Sequence, residues 1–410
     1  MTLLNIDELI KTAEIESKNL FEQIEETALF NQKKVLDSFR KHRVSPMHFS
    51  HSTGYGYDDI GRDTLSKVFS SIFKTESSIV SPLITSGTHA ISIALFGLLR
   101  PYNSLLCITG NPYDTLENVI NGDNNGSLKD YLINYKQIEL DSNGNIQIDL
   151  VNKYLVDNAI DVVLITRSEG YSWREALSID EIEIIIRNIK QKSPKTVIIV
   201  DNCYGEFVDK REPSEVGADI IVGSLIKNPG GGIAPTGGYI AGKESLIKKI
   251  ASRFTCPGLG LEVGSYFSSY IPYYQGLFLA PTHVSNSLKG SIISAKCFKK
   301  LGFEVNPDPE TIPKDIIRAI KFLNKDLLIK FIQSIQYSSP VDSHVTPYPW
   351  DMPGYEDQVI MAAGTFIQGS SIELSSDAPI KEPYIAYLQG GLTYEHYKIA
   401  LNESLRFFCS

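Results

Sequence analysis

The chain of 410 residues is about two to four times the usual domain length of roughly 100 to 200, so a large domain with a smaller companion is expected. Hydrophobic residues make up 42%, charged residues 21% and aromatic residues 10%, a balance that excludes collagen-like, low-complexity and intrinsically disordered chains. A formal charge of −9, from 39 basic and 48 acidic residues with no basic run, argues against nucleic acid and anionic membrane as partners.

The first residues, Met1 to Glu8, acquire acids where a secretory signal needs bases, and no stretch reaches the ~18 apolar residues of a membrane span. Cys107, Cys203, Cys256, Cys297 and Cys409 are odd in number and form no Cys-x-x-Cys pair, which fits a reducing compartment; the expected location is the cytoplasm. From Ile6 to about Ser38 apolar residues recur at helical spacing among charges, predicting one or two amphipathic helices in an N-terminal arm, residues 1–45.

From about Leu83 to Lys243, short β-branched runs alternate with helical patterns. The strand runs are Leu83 to Thr85, Ser104 to Thr109, Tyr135 to Leu140, Asp161 to Thr166, Thr196 to Asp201, Asp219 to Ser224 and Gly238 to Ala241. Such alternation predicts βαβ crossovers and an α/β domain, residues 46–290, on a mostly parallel seven-stranded sheet. One helix is framed by a capping box, Ser178 with Glu181, and by Pro194. Beyond Ala280, Ser287 to Leu301 and Pro313 to Asn324 read as helices. Leu328 to Tyr337 and Gly364 to Leu374 read as strands, giving a smaller C-terminal α+β domain, residues 291–410.

Ligands of open α/β sheets bind at the carboxyl ends of strands. Ser86, Gly87 and Thr88 follow one such run and open a helix, where free N–H groups suit a phosphate; a simple helix cap is the alternative. Asp201 ends another run, and its carboxylate emerges at the rim. Lys227 follows Ser224 and apolar Leu225 and Ile226; desolvated there, its amine can form a Schiff base, whereas a solvated surface lysine is the plainer reading. The cluster Gly230, Gly231, Gly232, Gly237 and Gly238 fails the strand-to-helix context of a Rossmann or phosphate loop. The seven histidines complete no recognised ligand set, so no metal site is expected.

Six stretches, His51–Arg62, Ser86–Ala90, Pro112–Leu116, Val200–Glu206, Gly223–Gly231 and Gln389–Thr393, together resemble the fold-type-I pyridoxal-phosphate enzymes of the cystathionine lyase group. More narrowly, the chain resembles the branch called aluminium resistance or methionine gamma-lyase family proteins. The resemblance implies pyridoxal 5'-phosphate held on Lys227, its phosphate on Ser86, Gly87, Thr88 and Ser224, its ring nitrogen on Asp201, and Tyr113 stacked on the ring. It also implies a homodimer or homotetramer with shared sites, in which Tyr57 and Arg62 reach a neighbour's phosphate, although the spacing of Tyr55, Tyr57 and Arg62 differs from the wider group. Where that group carries a C-terminal arginine for the substrate carboxylate, this chain offers Lys381, a point charge without a bidentate fork. Arg167, Ser168, Glu169 and Gly170 stand in place of its Pro-Thr-Asn-Pro run.

The expected activity is carbon–sulfur bond elimination from a small amino-acid substrate, with Lys227, Tyr113 and Asp201 as catalytic residues. A binding or sensor protein on the same fold, without turnover, is the alternative.

Overall fold

Strands whose residues are apolar at nearly every position must be covered on both faces, as parallel strands flanked by helices are. The computed structural model, which describes residues 5–409, has this arrangement. Its seven-stranded sheet runs in the order β1-β7-β6-β5-β4-β2-β3. The strands are β1 Ser77–Ser81, β2 Ser104–Cys107, β3 Asn134–Gln137, β4 Val162–Thr166, β5 Val197–Asp201, β6 Ile220–Ser224 and β7 Gly238–Gly242. Strands β3, β2, β4, β5 and β6 are mutually parallel, and β7 runs antiparallel to both β6 and β1. Asp201 pairs with Thr166 and Val222, so the carboxyl ends of β4, β5 and β6 lie along one edge.

The first strand is not Leu83 to Thr85. Pro82 has no N–H to continue a ladder, and Ser81 closes a turn through its Oγ to Leu83 N (3.1 Å), so the strand ends at Ser81 and the apolar run leads into the helix Gly87–Leu98. The capping box of Ser178 and Glu181 forms and opens the helix Ile179–Lys192.

The C-terminal part carries a five-stranded antiparallel sheet, in the order β10-β11-β12-β9-β8. Its strands are β8 Glu304–Asn306, β9 Ile317–Lys321, β10 Val359–Ala362, β11 Ser375–Pro379 and β12 Ile385–Gln389. Three expectations fail here. Pro313 to Asn324 contains β9, not a helix, because Ile317 and Ala319 bury on one face while Ile320 buries on the other. Leu328 to Tyr337 is part of the helix Lys325–Tyr337, whose Leu328, Phe331, Ile332 and Ile335 form one buried stripe. Gly364 to Leu374 is a loop between β10 and β11, closed by the Glu373 carboxylate accepting from Phe366 N (2.8 Å) and Ile367 N (2.9 Å).

The helix expected from Ser287 begins at Ile271 and runs unbroken to Lys300, passing through the position where the sequence suggests a domain boundary. The N-terminal helices, Ile6–Glu16 and Lys18–Lys41, do not stand free. Leu9, Ile10 and Ala13 join the core of the C-terminal sheet, and Ile24 and Val35 join that of the large sheet. Met1 to Leu4, where the signal-peptide reading begins, lie outside the described residues. No helix among the described residues is long and apolar enough to cross a membrane.

Candidate active site

Four segments converge at the carboxyl edge of the large sheet. Ser86, in extended conformation, caps the helix Gly87–Leu98 by accepting from His89 N at 3.0 Å, and its own hydroxyl proton remains free to donate. The N–H groups of Gly87 and Thr88 have no acceptor among the described residues, as expected of a first helical turn. A Cβ on Gly87 would stand 3.1 Å from Cys203 Sγ and 3.6 Å from the Ser224 Cβ, so the bare backbone there leaves a cradle between the ends of β5 and β6. Thr88 Oγ1 lies 3.3 Å from Tyr113 Oη and 3.1 Å from Thr115 Oγ1, joining the cradle to the start of the helix Asp114–Asn121.

Asp201 is the last residue of β5 and is buried; one carboxylate oxygen accepts from Cys203 N at 3.1 Å. Ser224 ends β6, and its Oγ accepts from Ile226 N at 3.3 Å, turning the chain so that Lys227 folds back over the site. The Lys227 Nζ stands 3.8 Å from the centroid of the Tyr204 ring, a cation–π contact. Asn228 fixes that turn by donating to Tyr204 O (3.0 Å) and Glu206 O (2.9 Å).

Burial governs the electrostatics. It pushes the Tyr113 phenol and the Cys203 thiol well above their usual ranges, and the Asp201 charge adds to both. For Lys227 burial works against the ammonium, and the Asp201 carboxylate, the charged group among those facing it, works the other way and holds the amine above the usual lysine range.

The structure therefore brings together Ser86, Gly87, Thr88, Tyr113, Asp201, Ser224 and Lys227. Tyr57 and Arg62 belong to another part of the chain. Tyr57 is exposed and stacks on Tyr55, with centroids 5.6 Å apart. Arg62 is buried and donates to Asp63 (2.8 Å), Gly56 O (3.1 Å) and Gly264 O (3.5 Å). Lys381 points away to pair with Asp357 at 3.0 Å on the surface. No grouping of His, Cys, Asp and Glu able to hold a metal occurs among the described residues.

Two residues have roles here that sequence reasoning did not assign. Arg167, fully buried, donates to Asn202 Oδ1 (2.8 Å), Gly205 O (2.7 Å) and Leu177 O (3.2 Å), and so fixes the turn that carries Cys203 and Tyr204. From the C-terminal sheet, Asp377 of β11 reaches the site. Its Oδ2 accepts from Tyr171 Oη (3.2 Å) and Gln389 Nε2 (3.3 Å), and it lies close enough to Lys227 to feel that charge. Burial raises the Asp377 carboxyl to about 6. The signal for Arg167 was its position directly after a strand; for Asp377 no local signal exists, because the five-stranded sheet brings it in from far along the chain.

Comparison with known proteins places this geometry. Residues 6–408 match the family model described as methionine gamma-lyase. The uncharacterized protein YnbB of Bacillus subtilis (strain 168) is 52% identical over 406 residues, 98% of this chain and 96% of its own. The crystal structure of the carbon-sulfur lyase involved in aluminum resistance from Clostridium novyi NT is 50% identical, with a TM-score of 0.94 over 98% of this chain and 96% of that one. At 16% identity, the pyridoxal-5'-phosphate dependent protein YhfS from Escherichia coli shares the fold, with a TM-score of 0.64 over 94% of this chain and 97% of its own. The fold is thus of the fold-type-I pyridoxal-phosphate class.

Proposed function

The chain belongs to the methionine gamma-lyase family, and from that premise we propose that it is a pyridoxal-phosphate-dependent lyase that eliminates a sulfur leaving group from an amino acid, of cystathionine beta-lyase or methionine gamma-lyase type. The observation that carries this reading is the meeting, at one sheet edge, of a buried lysine amine, a strand-terminal carboxylate and a backbone cradle at Gly87.

These residues fit the cofactor. The free N–H groups of Gly87 and Thr88, with the Ser86 and Ser224 hydroxyls, suit a phosphate at a helix start. Asp201 keeps one carboxylate oxygen unbonded and suits a positive ring nitrogen. When bound, pyridoxal phosphate supplies an electron sink for the charge that develops at the substrate α carbon.

The chain's own groups supply the rest. Lys227 would hold the cofactor through its amine and, once free, take the proton from the α carbon. Tyr113, kept protonated by burial, would donate to the departing sulfur. Thr88 orients that phenol, while the buried Cys203 packs beside Gly87 and the Tyr204 ring beside the Lys227 amine. The further expectations of a homodimer or homotetramer with shared sites, and of a cytoplasmic setting, rest on the displaced position of Tyr57 and Arg62 and on four unbridged thiols among the described residues.

Reduction with borohydride followed by peptide mapping tests the assignment, together with a panel of sulfur amino acids. The cofactor is expected on Lys227, with pyruvate marking β-elimination or 2-oxobutyrate marking γ-elimination, and both the label and the products lost in Lys227→Ala. Label on Lys243, which pairs with Asp219 at 2.6 Å, would overturn the site; bound cofactor without any product would establish the sensor reading instead.

A further inference from the structure

We propose that Tyr204 is a positioning residue for Lys227: its ring face receives the lysine nitrogen and favours the form that carries a positive charge. The proposal rests on the lyase reading above, which makes that nitrogen the acceptor of the α-carbon proton.

The contact is fixed from both sides. The Lys227 Nζ stands 3.8 Å from the centroid of the Tyr204 ring, well inside the roughly 6 Å over which an aromatic face attracts a cation. Tyr204 reaches that place in a left-handed backbone conformation, with φ +70°, which a bulky residue rarely adopts. Hydrogen bonds impose it: Asn228 Nδ2 donates to Tyr204 O (3.0 Å), Gly205 N to Asn202 O (2.9 Å) and Arg167 Nη1 to Gly205 O (2.7 Å). Asn228 directly follows Lys227, so the turn that carries the amine also fixes the ring that faces it. Backbone held in such a region by its surroundings is characteristic of residues that a site needs in one place.

The ring acts without a charge of its own. Burial holds the Tyr204 phenol above its usual range and so keeps it neutral. The side chain packs against Ile317, Ala319, Ile385 and Tyr387 of the five-stranded sheet, a water-poor setting in which cation–π contacts strengthen. The titratable groups facing Lys227 are Asp201, Cys203, Tyr204 and Glu206 from β5 and the turn after it, Tyr113 from the start of the helix Asp114–Asn121, and Asp377 from β11. A carboxylate such as Asp201 attracts the nitrogen from any direction, whereas a ring attracts it only over its face. Tyr204 therefore adds direction to the attraction that Asp201 supplies.

Proton transfer gives that direction a use. As the α C–H bond breaks, its electron pair stays on the carbon and its proton forms a bond to the neutral Nζ, so positive charge grows on the nitrogen toward the transition state. A ring face already aimed at the nitrogen is complementary to that developing charge and needs no rearrangement to meet it.

The nitrogen can be titrated in the full-length protein in two ways. In the holoenzyme, the visible band of the bound cofactor follows protonation of the nitrogen it shares with Lys227; without cofactor, competitive acetylation across pH, read on the Lys227 peptide by mass spectrometry, follows the amine itself. Tyr204→Leu removes the ring face and is expected to lower both titrations by about one pH unit, the scale of a desolvated cation–π contact. Tyr204→Phe should leave them unchanged. A trifluorinated phenylalanine at the same position keeps the packing but strips the face of its negative potential, so it should reproduce the shift even if the leucine variant fails to fold. The other groups facing Lys227 are the same throughout, so the difference reads the ring. In the holoenzyme, exchange of the α proton of a sulfur amino acid with deuterated solvent should slow about tenfold with leucine or the fluorinated ring and stay near the natural rate in Tyr204→Phe. Titrations indifferent to fluorination, or Tyr204→Phe behaving as Tyr204→Leu, would reduce Tyr204 to packing and overturn the proposal. Absence of α-proton exchange in the natural holoenzyme on every sulfur amino acid would instead remove the lyase reading, leaving the titrations to decide Tyr204 alone.

Discussion

Glu206 shows how one side chain beneath the site couples burial to pH. It is fully buried, its Oε1 accepts from Tyr239 Oη at 2.7 Å, and its Oε2 has no partner, so an ionised carboxylate there would lack a second hydrogen bond. Burial raises the carboxyl to about 8. The unfolded chain releases this proton near the ordinary glutamate range, so between there and about pH 8 the folded state binds more protons and stability falls as pH rises; above about 8 both states are ionised and the fall levels off. Glu206→Gln keeps the acceptor for Tyr239 and removes the titration. It is expected to leave stability nearly unchanged at pH 5 and to raise it by about 1–3 kcal/mol at pH 9, as read by denaturant unfolding. Glu212, also raised by burial, follows the same trend in both proteins, so the difference isolates Glu206. An equal difference at both pH values would refute the buried-proton account. Asp201 and Lys227 were legible in the sequence because each follows a strand run and so must emerge at the ligand edge. Cys203 and Asp377 were not, since their relation to Lys227 depends on a turn fixed by Arg167 and on the placement of β11, neither of which is a local property.

At the scale of elements, the turn that presents Lys227 is held by a backbone contact with the helix Ile271–Lys300. A Cβ on Gly276 would stand 2.1 Å from Gly230 O, and one on Gly231 would stand 2.3 Å from Gly276 O, so helix and turn touch without any side chain between them. Gly231 also has φ +57°, in the region that glycine tolerates best. Gly276→Ala must push the two elements apart. We expect a loss of about 1–3 kcal/mol, typical of overpacking, together with weaker retention of pyridoxal phosphate, because the displaced element is the one bearing Lys227. Unchanged unfolding and unchanged cofactor affinity would show that the contact relaxes freely. The glycine cluster itself was visible in the sequence, and its failure to fit a phosphate-loop pattern was informative; its partner Gly276, far along the chain, was not. The same distinction explains the C-terminal sheet. β9 is a short apolar run buried on both faces, which periodicity separates poorly from a helical segment, whereas the helix Lys325–Tyr337 carries a one-sided stripe of 3.6-residue period that the sequence did display. The parallel strands were readable because turn and helix signals bounded them on both sides.

For the whole molecule, the open question is whether one chain completes its own site. Arg62 ties two loops together, through Gly56 O and Gly264 O, and Ser265 Oγ reinforces the junction by donating to Gly54 O at 2.7 Å. The platform carries Tyr55, Tyr57 and Phe267, which are 69%, 59% and 78% exposed, more apolar surface than an isolated loop gains by showing to water. Arg62 uses Nε and Nη1 in these bonds and leaves Nη2 unengaged, a donor available to an acceptor from outside the chain. If the platform meets the cradle of a second copy, Arg62 adds a charge-assisted bond to the group held there; if it stands alone, Arg62 only braces the loops. Mixing Arg62→Ala with Lys227→Ala subunits under exchange conditions separates the two cases. Each variant alone is expected to be inactive or nearly so. In a shared-site assembly some mixed oligomers contain one site with both natural residues, and activity should return toward about a quarter of the natural level by random pairing of dimers. Demonstrated subunit exchange without recovery would confine Arg62 to the bracing of its own loops, and the apolar platform would then need a different partner.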